Sequence, residues 1–265
     1  AALLGHVYLT VAELFANLFK SHGFSRAASR QLLEQATASG TVFVVGDRVY
    51  LRELKAAEDC VAQGIQDALL RGSTACSEHT VSITGFPVPL NRDQLAAITM
   101  ANSHRLSIVI GGAGTGKSTL IQTLFKSMPD PSRCLVCAPT GKAACNLTEH
   151  GIRASTVHRA LRVPMNGDFL QPLYLPEVEM IVVDEASMLT VEMMAGIFEA
   201  VTPMCRIVLI GDWNQLPAVG PGNILQDFYE LGVPYTRLNS VYRQSDSQSA
   251  LLHNVVHFQE MQDSS

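Results

Sequence analysis

The sequence predicts an α/β protein with a mainly parallel sheet, preceded by a small winged-helix-like α+β module. Three observations carry this expectation. Short apolar runs at 106–110, 134–138, 180–183 and 206–210 alternate with stretches of helical length, as strands buried on both faces do. The first run leads into Gly111-Gly112-Ala113-Gly114-Thr115-Gly116-Lys117-Ser118, a match to G-x-x-x-x-G-K-[ST], the phosphate-binding loop (P-loop) of nucleoside triphosphatases. Residues 1–72 read instead as helix, helix, hairpin and helix. The expected division is therefore 1–72 for the module, 73–89 for a linker and 90–265 for the α/β domain, with a small hairpin insertion near 162–171.

In the module, Val7-Tyr8-Leu9 is a short strand. Thr10 caps a helix to about Ser21, with Val11, Leu14, Phe15, Leu18 and Phe19 on one face, and Gly23 ends it. Ser25 caps a second helix to about Ser39, stopped by Gly40. Val42-Phe43-Val44-Val45 and Val49-Tyr50-Leu51 flank Gly46-Asp47-Arg48, a hairpin signal, and a third helix runs from about Arg52 to Leu70. Basic residues are scattered here. The module is open to two roles, a structural lid or a DNA-binding element.

Residues 73–89 turn polar and then Pro-rich (Phe86-Pro87-Val88-Pro89), which marks a linker. Beyond the four buried strands, Tyr235 to Leu238 is an extended segment expected to join the sheet. Composition sets the remaining bounds. With 47% hydrophobic and 16% charged residues the chain is globular. No run approaches the roughly 18 apolar residues of a membrane span, and the start has no signal-type core. A cytoplasmic protein with no membrane partner is expected. The net charge of −5 means that contacts to nucleic acid must come from local groups. Cys134 and Cys137 form a C-x-x-C inside a strand, where positions three apart face opposite sides. They read as small buried residues in a reducing compartment rather than as a zinc or disulfide pair.

The loop at 111–118 has a specific chemistry. Glycines let backbone N–H groups wrap phosphate oxygens, and the following helix adds its positive N-terminal end. Lys117 supplies a point charge for the β- and γ-phosphates, and the Ser118 hydroxyl is suited to Mg²⁺. Met180-Ile181-Val182-Val183-Asp184-Glu185 places two carboxylates at a strand end. Asp184 is suited to the Mg²⁺ shell and Glu185 to polarising a water. In Gly211-Asp212-Trp213-Asn214-Gln215-Leu216-Pro217, the Gln215 amide is suited to a γ-phosphate or a lytic water. Trp213, the sole tryptophan, reads as packing or as a stacking surface for a base. ATP with Mg²⁺ is the expected ligand.

With these motifs in place, the chain resembles the front half of a RecD-like superfamily 1 helicase. The resemblance rests on Leu90-Asn91-Arg92-Asp93-Gln94, the loop through Thr119, Ala138-Pro139-Thr140-Gly141-Lys142-Ala143-Ala144 (motif Ia) and Ser155-Thr156-Val157-His158-Arg159 (motif Ib). It continues with Asp184-Glu185-Ala186-Ser187-Met188 (motif II), 211–217 (motif III) and Val241-Tyr242-Arg243-Gln244 (motif IV). The module with Gly5-His6-Val7-Tyr8-Leu9 is similar, more loosely, to the amino-terminal part of stand-alone RecD-type helicases.

The resemblance implies a RecA-like motor domain that hydrolyses ATP and moves 5′→3′ on single-stranded DNA. It assigns Gln94 to the adenine edge and Gly111, Gly112, Ala113, Gly114, Thr115, Gly116, Lys117, Ser118 and Thr119 to the nucleotide. Lys117, Glu185, Gln215 and Arg243 take catalytic roles, Arg243 in the manner of an arginine finger. Ser118 and Asp184 hold the metal. Pro139, Thr140, Lys142, Thr156 and His158 line the DNA, although His158 by itself reads as helix-start packing. Asn166-Gly167 is a two-residue hairpin signal, so Met165, Asn166, Gly167 and Phe169 are candidates for a strand-separating wedge, or else for a connecting turn packed at the sheet edge. The implied partners are single-stranded DNA, a duplex fork and nuclease or repair proteins, with the chain itself monomeric. Motifs V and VI have no match here, so the chain is expected to be a fragment without the second motor domain and poorly active alone. The helicase portion of a conjugative relaxase, a PhoH-like ATPase and a non-translocating subunit of a nuclease complex are the alternatives.

Overall fold

The computed structural model describes residues 6–70, 90–163, 169, 171–215 and 220–239. It opens with strand β1 (Tyr8–Thr10), helices α1 (Val11–His22) and α2 (Arg26–Ala38), strands β2 (Val42–Val45) and β3 (Arg48–Leu51), and helix α3 (Arg52–Leu70). The caps explain the helix starts. The Thr10 hydroxyl accepts from the Glu13 N–H, and the Glu13 carboxylate accepts from the Thr10 N–H at 2.8 Å, a reciprocal capping box. Ser25 accepts from the Ala28 N–H in the same way. Gly46, at φ 63°, makes the hairpin turn. The three strands form an antiparallel sheet in the order β1-β3-β2, with Tyr8 and Phe43 both opposite Tyr50.

The second part contains α4 (Arg92–Ser103), β4 (Leu106–Gly111), α5 (Lys117–Ser127), β5 (Cys134–Ala138), α6 (Gly141–Glu149), β6 (Ala154–Thr156), α7 (Val157–Ala160), β7 (Met180–Val183), α8 (Val191–Ala200), β8 (Arg206–Gly211), α9 (Ile224–Glu230) and β9 (Tyr235–Leu238). Six strands make one sheet in the order β6-β5-β7-β8-β4-β9, and every pairing is parallel. Strand β8 lies between the P-loop strand β4 and the motif II strand β7, which is the RecA-like arrangement. Strands β4 and β7 are buried along their whole length because helices cover both faces. Strand β6 has no apolar run to announce it. It is an edge strand, half-buried throughout.

The alternation of side chains sorts the sheet into two cores. Ile108, Ile110, Cys137, Ile181, Val183, Ile207 and Leu209 face α3, α8 and α9. Val109, Val136, Met180, Val182, Val208 and Ile210 face α4, α5 and Leu147 of α6. Cys134 falls in the second core and Cys137 in the first, on opposite faces, and the cysteines among the described residues are free thiols. No described helix is long and apolar enough to cross a membrane.

Helix α3 belongs to both parts of the chain. It follows the small sheet directly, yet Leu54, Ala57, Val61, Ile65 and Ala68 are buried in the core shared with α8 and the large sheet. Burying Leu54, Val61 and Ile65 is worth roughly 1.5–3 kcal/mol each. The approach is close because Gly64 has no side chain: a Cβ there would lie 2.6 Å from the Phe198 ring on α8. Replacing Gly64 with Val must push α3 away from α8. We expect a loss of about 1–3 kcal/mol, from overpacking, in urea denaturation. An unchanged midpoint would show that the contact contributes little.

Candidate nucleotide site and the neighbouring strand ends

In an all-parallel sheet the loops after every strand gather at one edge, and this is where the predicted site residues lie. Strand β4 ends at Gly111, and the chain then turns through Gly114 at φ 79° and Gly116 at φ 87°, values that a Cβ would strain. Thr115 is buried, and its hydroxyl donates back to the Gly112 carbonyl at 2.9 Å. A Cβ on Gly111 would sit 2.5 Å from that hydroxyl. The Lys117 ammonium donates to the Gly111 and Gly112 carbonyls at 2.8 and 3.2 Å, so the side chain folds over the loop it follows. Ala113 is exposed, and Ser118 and Thr119 are half-buried in the first turn of α5.

The start of α5 differs from that of most other helices in the fold. Helices α1, α2, α4, α6, α7 and α8 each begin with a side-chain cap, whereas Gly116 leaves the first N–H groups of α5 without one. Uncapped N–H groups and the positive helix end together suit an anion.

Motif II lies two strands away, at the end of β7. The Asp184 N–H donates to the Cys137 carbonyl at 2.9 Å, which fixes the backbone across β5. Its carboxylate is buried, and Oδ1 has no hydrogen-bond partner. Burial, then the neighbouring Glu185 charge, pushes the Asp184 pKa up to about 6, while a Glu185 backbone hydrogen bond and the Lys117 ammonium pull the other way. Glu185 has φ 52° and ψ 40°, a left-handed backbone rare for a residue with a side chain, and its Oε2 is also buried without a partner. Ser187 Oγ is a third buried atom of this kind in the same turn. Unpaired buried oxygens are costly, of the order of 1–3 kcal/mol each, and strained backbone concentrates at functional sites. These hard oxygen donors, with the Ser118 hydroxyl at the start of α5, are of the kind that suits a Mg²⁺ ion, which favours oxygen ligands.

Motif III closes the third side. Asp212 was not among the residues assigned a role by sequence, yet it is buried, and its Oδ2 lies 3.7 Å from where a Cβ of Gly112 would be. Its Oδ1 accepts from the Asn214 N–H at 3.0 Å and its carbonyl from the Gln215 N–H at 3.1 Å, so it shapes the turn that presents Gln215. A signal for it existed in the Gly-Asp pair at a strand end. Trp213 packs edge-on against Tyr229 at 5.1 Å, and Tyr229 against Tyr235 at 4.8 Å, with the Arg237 guanidinium 4.7 Å from the indole. Packing is its role in this structure.

Gln94 stands under the P-loop. Its Oε1 accepts from the Asn91 N–H at 3.0 Å and its Nε2 donates to the Gly116 carbonyl at 3.3 Å, and the residue is buried. One Nε2 proton and one Oε1 lone pair remain for contact with an adenine edge. Arg243 lies outside the described residues.

The residues expected on DNA gather at the ends of β5 and β6, where Ala138 pairs with Thr156. Strand order puts the β5 end three strands, about 14 Å, and the β6 end four strands, about 19 Å, from the P-loop strand. Thr140 caps α6 and Thr156 caps α7, each through its hydroxyl oxygen, which leaves the O–H free to donate. Lys142 is exposed, whereas Pro139 is buried. His158 packs edge-on against Phe169 at 4.7 Å, and desolvation lowers its pKa. Phe169 corrects the wedge expectation. It is buried in the core, against the helix residue Gly196, whose added Cβ would meet its ring at 2.8 Å. An aromatic this large is worth more inside the core than at an exposed tip. Met165, Asn166 and Gly167 lie outside the described residues.

The family described as AAA domain matches residues 89–260. The chain is 38% identical over 162 residues to the ATP-dependent RecD2 DNA helicase of Deinococcus radiodurans, covering 59% of this chain and 22% of that protein. It is 37% identical over 168 residues to the RecBCD enzyme subunit RecD of Mycolicibacterium smegmatis, covering 52% and 30%. The chain thus spans under a third of the length of these relatives. Among solved structures, the Pif1 helicase from Candida albicans aligns over 61% of this chain and 42% of its own at 22% identity, with a TM-score of 0.48.

The raised pKa of Asp184 has a signed consequence for stability. Between the unfolded value of 3.8 and about 6 the folded state holds the extra proton, so stability falls as pH rises through that window and is level above it. The difference corresponds to a cost on the order of 3 kcal/mol at neutral pH. In metal-free buffer, thermal melts from pH 3 to 8 should show the wild type losing stability across this window. Asp184→Asn should lack the fall and melt higher at pH 7. A variant that melts lower at pH 7 would overturn the reading of a destabilising carboxylate.

Proposed function

We propose that this chain, which belongs to the AAA domain family, is the first RecA-like motor domain of an ATP-dependent DNA helicase of the RecD-like branch, moving 5′→3′ along single-stranded DNA. The observation that supports it most is the pair of unpartnered, buried carboxylate oxygens of Asp184 and Glu185, set across β8 from a P-loop with an uncapped helix. A site built only for stability would satisfy them.

In this reading the N–H groups of 112–118 hold the phosphates, and Lys117 leaves the Gly111 and Gly112 carbonyls to meet the β- and γ-oxygens. Ser118 and Asp184 would hold Mg²⁺, which neutralises charge on the phosphate oxygens when bound. Glu185 accepts the proton of the attacking water, its left-handed backbone aiming the carboxylate away from the strand. Asp212 shapes the turn that carries Gln215 towards the γ-phosphate. Gln94 braces Gly116 from below and meets the adenine through its remaining donor and acceptor positions. Thr140, Lys142, Thr156 and His158 contact the DNA backbone, giving grip without sequence reading. Arg243 supplies charge to the transition state. The second motor domain and the nuclease or repair partners belong to the longer protein, cytoplasmic and acting at a duplex fork, of which this chain is a portion.

Two substitutions test the assignment. Lys117→Ala should weaken a fluorescent ATP analogue by roughly 10- to 100-fold, as expected for loss of charge-assisted bonds, with the melting temperature little changed. Equal affinity would overturn the site. Glu185→Gln in the complete protein should keep nucleotide affinity and lower DNA-stimulated ATPase by about 10²–10⁴-fold. Retained turnover would place the base elsewhere.

A further inference from the structure

Strand β6 covers only part of its neighbour. It pairs Ala154–Thr156 with Val136–Ala138 and leaves Cys134 and Leu135 open on that side. A groove of about 800 Å³ runs along this open edge, within the range of ligand clefts at about 300–1,000 Å³. Arg153, Arg159 and Arg162 line it with Ser132, Ser155 and the half-buried Phe125, and none of the described lining residues is acidic. The chain as a whole is acidic, so three arginines together are a local reversal. All three are exposed, and neither ion pair among the described residues (Lys55–Asp59 and Arg133–Glu179) involves them.

Arg162 adds an independent observation. It follows α7 at φ 55°. Its N–H donates to the Arg159 carbonyl at 3.3 Å, and the next N–H, of Val163, donates to the His158 carbonyl at 2.9 Å. This is the Schellman ending of a helix, where the left-handed position is ordinarily glycine. A side chain there strains the backbone and makes no ion pair among the described residues. Its use lies in what it presents to the groove.

We propose that this groove binds the phosphate backbone of a single DNA strand, carrying the strand on from Thr156 and His158 along the β6 edge. The inference rests on the function proposed above. Arg159, in α7, and Arg162, just past its end, both line the groove. Arg153 lies at the opposite end of β6, about 10 Å away. That length holds two or three phosphates at the ~3.4 Å spacing of a stacked strand. Phe125 offers a face for a base, the combination of cations and an aromatic that single strands favour.

The test is fluorescence anisotropy of a labelled oligothymidine titrated with the 265-residue chain over a series of salt concentrations. Arg153→Ala, Arg159→Ala and Arg162→Gly should each weaken binding roughly fivefold at low salt and reduce the salt slope by about 0.7, the value for one phosphate contact on a single strand. Arg162→Gly should melt no lower than wild type, since glycine takes the left-handed backbone freely, so its loss of affinity cannot come from unfolding. Lys142→Ala separates the two levels of the argument. If it weakens binding while the arginine variants keep wild-type affinity and slope, the groove is wrong and the DNA path at motifs Ia and Ib stands. If the wild type binds no oligothymidine at the lowest salt, both fail. If polyglutamate of equal charge binds as tightly, with the same dependence on the arginines, the assignment to nucleic acid is overturned.

Discussion

The parallel register of β7, β8 and β4 is the constraint on which the site depends. Ile110 pairs with Gly211 and Val183 with Leu209, so the P-loop, motif II and motif III leave the sheet within two residues of one level. A slip of one residue would exchange the two cores and send the turns apart. The crossing of the turns also needs space. A Cβ at Gly211 would lie 2.5 Å from Leu225 and 3.1 Å from the Ser187 nitrogen. Where motif III leaves its strand, the missing side chain is what lets the motif II turn lie against it.

Around this point the chain gives up local stability. Glu185 is left-handed, Asp184, Glu185 and Ser187 keep buried oxygens unpaired, and α5 starts without a side-chain cap. Away from it most helices are capped, turns carry glycine and strands are apolar, with the left-handed Arg162 and the uncapped start of α9 as exceptions. Departures from local consistency that cluster in one place mark a functional site, and the surrounding core must offset them. The fully buried strands and the helices on both faces do so.

The amino-terminal module is tied to that core by α3, which ends the small sheet and then packs on α8. Helix α1 contributes no buried residue of its own. The fit of Gly64 against Phe198 therefore couples the small sheet to the face of the large one. On the opposite edge, the Trp213, Tyr229 and Tyr235 rings with Arg237 tie the motif III turn to α9 and β9. The cation over the half-buried Trp213 ring is worth on the order of 1 kcal/mol. Contacts of this size hold a turn in position without making it rigid.

Much of this was legible in the amino-acid sequence, because the signals are local. Thr10 and Ser25 cap helices, Gly46 turns the hairpin, and the apolar runs at 106–110, 134–138, 180–183 and 206–210 are strands. The P-loop was readable for the same reason, since its glycines and Lys117 act within eight residues. Other features depend on residues far apart in the chain. The place of α3 against α8, the closeness of Asp212 to Gly112 and the bracing of Gly116 by Gln94 are decided by strand order, which periodicity does not encode. Phe169 is the sharpest case: beside Asn166-Gly167 it reads as the flank of a hairpin, and only packing against Gly196 and His158 puts it inside. Local chemistry determined which elements form and which atoms carry charge. Tertiary structure decided which of them meet, because burial is settled by partners that sequence spacing does not name.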